Sequence, residues 1–361
     1  MALAAKDPMK FELPSELNAA KPAERRGIRR DHVRLMVLDR NSGNNQHDQF
    51  YKLENYLNEG DLLVLNTSRT LPSSFSVEIR RASRLMAPEA EIRLAQRKSN
   101  SVWKVLVVGQ TVKQGDELIF SGSLRARVCS CSTKSPLVTV SFSKRGIALY
   151  DELYKLGEPI RYEYIHDNWP LEYYQTVYGT VPGSVEMTSA GRAFSWELLS
   201  RLKKKGIQIA PITLHTGLSY FLNDQWKVGP ADSLEEYEVP GVTADLIRKT
   251  IAGGGRVIAV GTTVVRALES AVDGSGNPVP QKGWTNLHVH SDFQLNVVDG
   301  LITGFHEPEA SHLDMLSAFV SPHILKNAYQ EAVHRQYLWH EFGDMNLVLG
   351  GSADETPSLG H

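Results

Sequence analysis

The stretch Arg256-Val-Ile-Ala-Val260-Gly261-Thr-Thr263-Val-Val-Arg266 decides the fold. An unbroken apolar run reads as a buried strand over Arg256–Val260. It passes through a glycine and two threonines into a helix over Val264–Ala271. The neighbouring segments alternate in the same way. Ser195 predicts an N-cap for a helix over Trp196–Lys205, with Gly206 just past its end, and Ile207–Leu214 reads as a buried strand. Thr243–Ala252 predicts a helix that Gly253-Gly-Gly255 stops, and Val297–Gly304 a further strand or hairpin. Ser311 and Asp314 have capping-box spacing, and Pro322 suits the first turn of a long helix to about Phe342. This alternation predicts an α/β domain with helices covering its sheet.

Upstream, Gly60-Asp-Leu-Leu-Val-Leu-Asn66 has the character of the later strands. Between them the pattern changes. Phe75–Arg80, Glu91–Gln96, Val102–Val108, Glu117–Phe120, Leu124–Val128 and Leu137–Phe142 are short and evenly spaced, with turn chemistry such as Lys113-Gln-Gly115-Asp116 between them. They predict a small β-barrel or sandwich. The chain is therefore read as a discontinuous α/β domain over 1–71 and 148–349, an inserted β-barrel over 72–147, and a small polar tail, expected to be disordered, over 350–361.

The 361 residues are 42% hydrophobic and 22% charged, with a formal charge of −2, as expected of a soluble folded protein without a bulk basic surface. The longest apolar runs fall far short of the roughly 20 residues a membrane span needs, and Met1–Lys10 has no apolar stretch of signal-peptide length. A cytoplasmic location is expected. Cys129 and Cys131 read as free thiols in a strand, one facing in and one out.

Ligands of α/β sheets gather beyond the carboxyl ends of strands. Four such ends here are polar: Asn66-Thr-Ser-Arg69, His215-Thr-Gly217, Gly261-Thr-Thr263 with Arg266, and His306-Glu-Pro-Glu309. Each has an ordinary reading as a cap, a turn or a buried histidine, but four together predict a shared pocket. The amides and hydroxyls of the Gly261-Thr-Thr263 turn suit a carboxylate, phosphate or ribose. Dinucleotide, P-loop, zincin and nucleophile-elbow motifs are missing. His288, His290, His306 and His312 form no spacing that specifies a coordination set, so no metal site is expected. Arg25, Arg26, Arg29 and Arg30 are dense enough for a phosphate-contact patch, while Lys203–Lys205 reads as a solvated helix end.

Several of these segments occur in order along almost the whole chain of one enzyme family. Phe11-Glu-Leu-Pro14, Arg34-Leu-Met-Val-Leu-Asp39, Gly60–Asn66, Tyr174-Gln-Thr-Val-Tyr178, Ser189-Ala-Gly191 and Thr213-Leu-His215 are similar to segments of the S-adenosylmethionine:tRNA ribosyltransferase-isomerase family. So are Val260-Gly-Thr-Thr263 with Arg266, Leu268-Glu-Ser270, Gly283-Trp-Thr285, Val298-Asp-Gly-Leu301, Phe305-His306, Met315–Phe319 and Gly343-Asp344. The resemblance spans about Lys10 to Leu349. It implies an α/β-barrel-like main domain with an inserted small β-barrel. It also implies transfer of the ribosyl part of S-adenosylmethionine to 7-aminomethyl-7-deazaguanine in tRNA, giving epoxyqueuosine with release of adenine and methionine. S-adenosylmethionine is then a substrate, tRNA the partner, and no prosthetic group or metal is implied. Such a path needs a base for the proton beside the sulfonium, an acid for adenine, and polar groups for ribose and methionine. On this resemblance His215, His306 and Glu235 are the catalytic candidates. Asn66, Arg69, Gly261, Thr262, Thr263, Arg266, Tyr237 and Asp344 are the substrate-binding ones.

The chain also departs from the family pattern. Ala193 and Ser233 stand where histidines are usual, and Thr67 where a carboxylate is usual. Glu307 and Glu309 are acids at positions otherwise neutral or basic, and His312 replaces a leucine. Two other readings follow from these departures: a diverged enzyme that cleaves or rearranges S-adenosylmethionine in a small-molecule pathway, and a non-catalytic binding protein on the same fold.

Overall fold

A computed structural model describes residues 10–219, 221–222, 233–308 and 310–350. The expectations about Glu309 and about the tail beyond Gly350 lie outside these residues. Nine strands form one sheet in the order Gln281–Thr285, Glu235–Val239, Gln208–Leu214, Leu62–Asn66, Val257–Val260, Gly300–Gly304, Met345–Leu349, Arg34–Asp39 and Asn45–Gln49. Its four central strands, 208–214, 62–66, 257–260 and 300–304, are mutually parallel. Six further strands between Ser74 and Phe142 close into a barrel, the last, Leu137–Phe142, pairing with both Val102–Val107 and Arg125–Ser130. The mixed α/β architecture with an inserted barrel is the one expected. The large sheet has two free ends in its strand order, and closure belongs to the small barrel.

The central strands are continuous apolar runs because both faces of the sheet are covered. Leu63, Leu65, Ile258, Val260, Ile302 and Leu347 point into one core, against Leu198, Leu199 and Leu202 of the helix Trp196–Lys204. Leu62, Val64, Val257, Ala259, Leu301 and Val348 point into the other. There they meet the helices Gly241–Ala252, Thr262–Ser270, Ser311–Phe319 and Pro322–His334. The alternation follows from the two-residue period of a strand. The barrel has its own core, which includes Trp103, Val105, Leu118 and Val140 and continues into Leu149 and Leu153 of the helix Ile147–Leu156. The barrel's packing thus runs past residue 147, where the sequence pattern divides the chain.

Local chemistry explains where helices begin and end. The Ser195 hydroxyl accepts the Leu198 amide proton at 3.1 Å, as its N-cap position requires. Two expectations are corrected. Ser311 is the first helical residue rather than the cap, with Ala310 at the cap position and no side-chain capping bond. The helix from Pro322 stops at His334 instead of reaching Phe342. Gln336 takes a positive φ of 58°, and the reversed chain packs Tyr337 and Trp339 onto Phe305 at ring distances of 5.2 and 5.0 Å. That burial outweighs continuation of the helix. Cys129 and Cys131 are both exposed rather than one in and one out: Cys129 lies near the end of the strand Arg125–Ser130 and Cys131 just past it. Among the described residues no helix is long and apolar enough to cross a membrane.

The inner strand Leu62–Asn66 is pinned at its start by Asp61, which is 2% exposed. Its carboxylate accepts from the Arg256 amide and Nε at 3.1 Å each, from Arg256 Nη2 at 2.7 Å, and from the Asn58 amide at 2.7 Å. The starts of strands 62–66 and 257–260 are thereby tied together. Asp61→Ala removes one partner of a buried pair and is expected to destabilise the protein by about 3–5 kcal/mol. A lower urea midpoint with an unchanged denaturant slope would show it.

Candidate functional site

The parallel strands 208–214, 62–66, 257–260 and 300–304 all end at one edge of the sheet, and the antiparallel strands 235–239 and 345–349 begin there. This edge therefore collects His215, Thr67, Gly261, Phe305 with His306, Glu235 and Asp344. The four polar strand ends anticipated from the chain are brought to one place.

Asn66 organises the edge from inside. Its Oδ1 accepts the Leu214 and Ser68 amide protons, each at 3.0 Å, and its Nδ2 donates to the Leu214 carbonyl at 2.9 Å and to Thr263 Oγ1 at 3.3 Å. At 2% exposure it holds strands and turn in place and is closed to a ligand. Gly261 takes φ +95° ahead of the helix Thr262–Ser270, a conformation that favours glycine, so the chain can turn sharply and present Thr262 and Thr263 at the helix start. The Tyr237 ring is buried in the core, and its hydroxyl donates to the Ser270 carbonyl at 3.3 Å. Asp344, also buried, accepts the amide protons of Arg34 at 2.8 Å and Leu338 at 2.7 Å. Tyr237 and Asp344 thus join strands and loops. Arg69 is exposed, 3.5 Å from the Gly179 carbonyl, on the short strand Ser68–Thr70 beside the main sheet.

The open part of the edge is lined by imidazoles, carboxylates and one guanidinium. Arg266 pairs through Nη1 with Glu235, whose other oxygen accepts the Gly217 amide proton at 3.1 Å. Among the described residues, Arg266 Nε and Nη2 are buried without a hydrogen-bond partner. Buried donors of a charged group are rarely left so, and they suit an anionic ligand. The His306 and His312 rings stack at 4.4 Å with planes 5° apart, and His306 Nε2 lies 2.8 Å from Thr303 Oγ1. His340 Nε2 lies 3.3 Å from Glu307 Oε1. His215 Nδ1 is 2.7 Å from Ser68 Oγ, which is itself 2.6 Å from Ser184 Oγ. The ring of His215 lies against Gly183, where a Cβ would come within 2.4 Å of Nδ1.

Crowding by protein atoms controls the charge of this cleft. Desolvation pushes His215, His312 and His340 down to about 4, and His306 well below its usual value with further help from His312 and His340. The His312 side chain keeps open surface, and after burial the nearby Arg266 cation is the second cause that opposes its protonation. The same crowding raises Glu186, Glu307 and, most of all, Glu341, whose Oε2 is buried without a partner among the described residues. Near neutral pH the cleft thus holds uncharged imidazoles and carboxyls that resist ionisation.

His312, His340, Glu186 and Glu341 were not among the candidates. They come from three separate parts of the chain: Glu186 from a loop, His312 from the helix Ser311–Phe319, and His340 with Glu341 from one later loop. Only His312, which replaces a usual leucine, carried a sequence signal. The altered position Ala193 lines a small recess together with Ser189, His340 and Glu341, so an imidazole from another loop faces the place where a histidine is usual. Thr67 donates to the Ile212 carbonyl at 2.9 Å, and Ser233 precedes the strand that carries Glu235. Among the described residues no group of three His, Cys, Asp or Glu is arranged to hold a metal ion.

The depressed imidazoles make stability depend on pH. Folded His215 stays neutral down to about pH 4, while its unperturbed value is 6.5. Between these values the unfolded chain binds more protons, so stability falls as pH is lowered through that window. His215→Gln is expected to flatten the dependence of Tm on pH there, and an unchanged slope would contradict the assignment.

The queuosine biosynthesis protein family matches residues 6–348 of the chain. The S-adenosylmethionine:tRNA ribosyltransferase-isomerase of Carboxydothermus hydrogenoformans is 37% identical over 346 residues, 94% of this chain and 98% of that protein. The protein of the same name from Thermotoga maritima is 36% identical over the same shares. A crystal structure of S-adenosylmethionine tRNA ribosyltransferase from Thermotoga maritima aligns with a TM-score of 0.53 and 31% identity, covering 94% of this chain and 99% of that one. With matching motifs, fold and near full-length coverage, the chain belongs to the S-adenosylmethionine:tRNA ribosyltransferase-isomerase family of queuosine biosynthesis.

Proposed function

We propose that the protein transfers the ribosyl moiety of S-adenosylmethionine to 7-aminomethyl-7-deazaguanine in tRNA, forming epoxyqueuosine and releasing adenine and methionine. The observation that carries this reading is the meeting of the neutral His306–His312 pair with the orphaned donors of Arg266 at the strand edge, in a chain of this family. The relatives' names favour it over a small-molecule enzyme or a non-catalytic binder. Its tRNA substrate places the work in the cytoplasm.

The roles follow from charge and hydrogen-bonding capacity. Arg266 Nε and Nη2 offer two donors to the methionine carboxylate, while Glu235 holds the guanidinium from the other side. Thr262 and Thr263 hold ribose oxygens at the helix start, where the exposed amides favour partial negative charge. The sulfonium is a cation, and the uncharged imidazoles around the cleft do not repel it. His306 takes the proton beside the sulfonium. Burial keeps the ring neutral, and in the tautomer whose Nε2–H donates to Thr303 Oγ1 the lone pair of Nδ1 is the one that accepts. Glu341, whose hold on a proton is strengthened by burial and by the nearby Glu186, supplies a proton to the departing adenine. The tRNA amine then attacks the ribosyl carbons, and ring closure to the epoxide expels methionine. His215, fixed by Ser68, orients the segment that carries Gly217 and hence Glu235.

The test is adenine and methionine release from S-adenosylmethionine, followed by mass spectrometry with and without tRNA bearing the 7-aminomethyl base. Release that depends on this tRNA, with a ribosyl-sized mass gain on the base, is expected, and tRNA-independent release would point to the small-molecule reading. His306→Ala is expected to lower kcat by about 10²–10⁴-fold. Because the His306 imidazole stays neutral well below its usual value, the wild-type rate should hold through pH 6 and not fall near 6.5. Unchanged turnover in His306→Ala would move the proton transfer to His215.

A further inference from the structure

A second recess lies beside the catalytic cleft. A cavity of about 310 Å³ opens next to the barrel, with Arg93, Ile160, Arg161, Tyr162, Glu186 and Leu218 in its wall. Small-molecule sites run from about 300 to 1,000 Å³, so this one suits a single flat heterocycle. Part of its wall is aromatic and ordered. Tyr162 stacks on Tyr164 with ring centroids 5.9 Å apart and planes 5° apart. Tyr164 in turn stacks on His340 at 4.7 Å and 20°. Of these three rings only Tyr162 lines the cavity, so the column presents its terminal ring there. The other end of the column is His340, which touches Glu307 in the cleft. Three near-parallel rings thus connect the cavity to the catalytic cluster.

Glu186 adds a polar group to this wall. Its Oε1 accepts from the Ser219 amide at 2.8 Å and from Ser219 Oγ at 3.0 Å, and its Oε2 lies 2.9 Å from the same hydroxyl. These bonds aim the carboxyl group and leave acceptor capacity on both oxygens. Ile160 and Leu218 supply apolar surface on the same wall.

We propose that this cavity is a subsite for a purine-type ring bearing amino groups, stacked on Tyr162 and read by Glu186. The proposal rests on the functional reading above, whose reaction brings two such rings: the adenine of S-adenosylmethionine and the 7-aminomethyl-7-deazaguanine of tRNA. Stacking tolerates either ring. The carboxylate distinguishes them, because the deazaguanine edge offers a ring N–H beside an amino group, and its aminomethyl arm is a cation, whereas adenine offers its amino group alone.

The test uses the full chain carrying Tyr162→Ala, Tyr162→Phe or Glu186→Gln. KM is measured separately for the tRNA and for S-adenosylmethionine, and equilibrium binding for free 7-aminomethyl-7-deazaguanine and free adenine. Tyr162→Ala is expected to weaken one ring by about 5–100-fold, and Tyr162→Phe, which keeps the ring and loses the hydroxyl's contacts to Ser219 and Glu186, to retain the stacking share of the affinity. Glu186→Gln is expected to weaken the same ring without unfolding the chain, as Tm would show. Losses confined to the tRNA and deazaguanine measurements identify the acceptor base, and losses confined to S-adenosylmethionine and adenine identify the donor. Unchanged affinity for both rings in folded Tyr162→Ala and Glu186→Gln would overturn the subsite. Free-base binding needs no turnover, so a wild-type chain that binds the ring but releases no adenine or methionine would refute the functional reading and leave the subsite standing.

Discussion

The amide of Asn66 is the constraint on which the edge of the sheet depends. It reproduces a peptide unit: one oxygen accepts the Leu214 N–H and one nitrogen donates to the Leu214 carbonyl, so the parallel ladder is extended by a side chain after the backbone has turned away. The same group reaches Thr263 and the Ser68 amide. Three chain segments that are distant in sequence therefore share one hub, buried among apolar strands where a missing hydrogen bond would be costly. His215 leaves one of these segments, the Gly261 turn belongs to another, and Ser68, which holds His215, to the third.

Around that hub the chemistry of the cleft is set by desolvation more than by pairing. Surface histidines would be half charged near pH 6.5, but here four of them are held neutral by the protein that crowds them. Neutral imidazoles can accept a proton and do not repel a sulfonium. Arg266, a strong cation at the strand edge, is partly satisfied by Glu235 and keeps two donor nitrogens for an anion. A substrate with a sulfonium at one point and a carboxylate at another fits this division of charge.

Much of the architecture was legible from the chain. Central strands such as Leu62–Leu65 and Val257–Val260 are apolar without interruption because both their faces are covered, and that pattern shows at the level of residues. The barrel strands were legible from their spacing and turns, and Ser195 from its capping position. The misreadings came where tertiary burial overrides local preference. The last long helix stops at His334 because Tyr337 and Trp339 gain more by packing on Phe305 than by continuing it. Asn66, Tyr237 and Asp344 are polar residues at strand ends whose hydrogen bonds to backbone groups join strands and loops, which the chain alone does not show.

By itself the sequence determined the family, the α/β pattern with its inserted barrel, and the set of strand ends that converge, because hydrophobic period and motif order are properties of the chain. Only the tertiary structure decided which polar residues at those ends remain open and what charge they carry. The His306–His312 stack forms across the turn into the helix Ser311–Phe319, while the recess beside Ala193 that His340 and Glu341 face and the contact of His340 with the Tyr162–Tyr164 pair join segments far apart in sequence. Protonation in the cleft follows from the number of protein atoms packed around each group, and that number exists only once the strands, the helices and the barrel have come together.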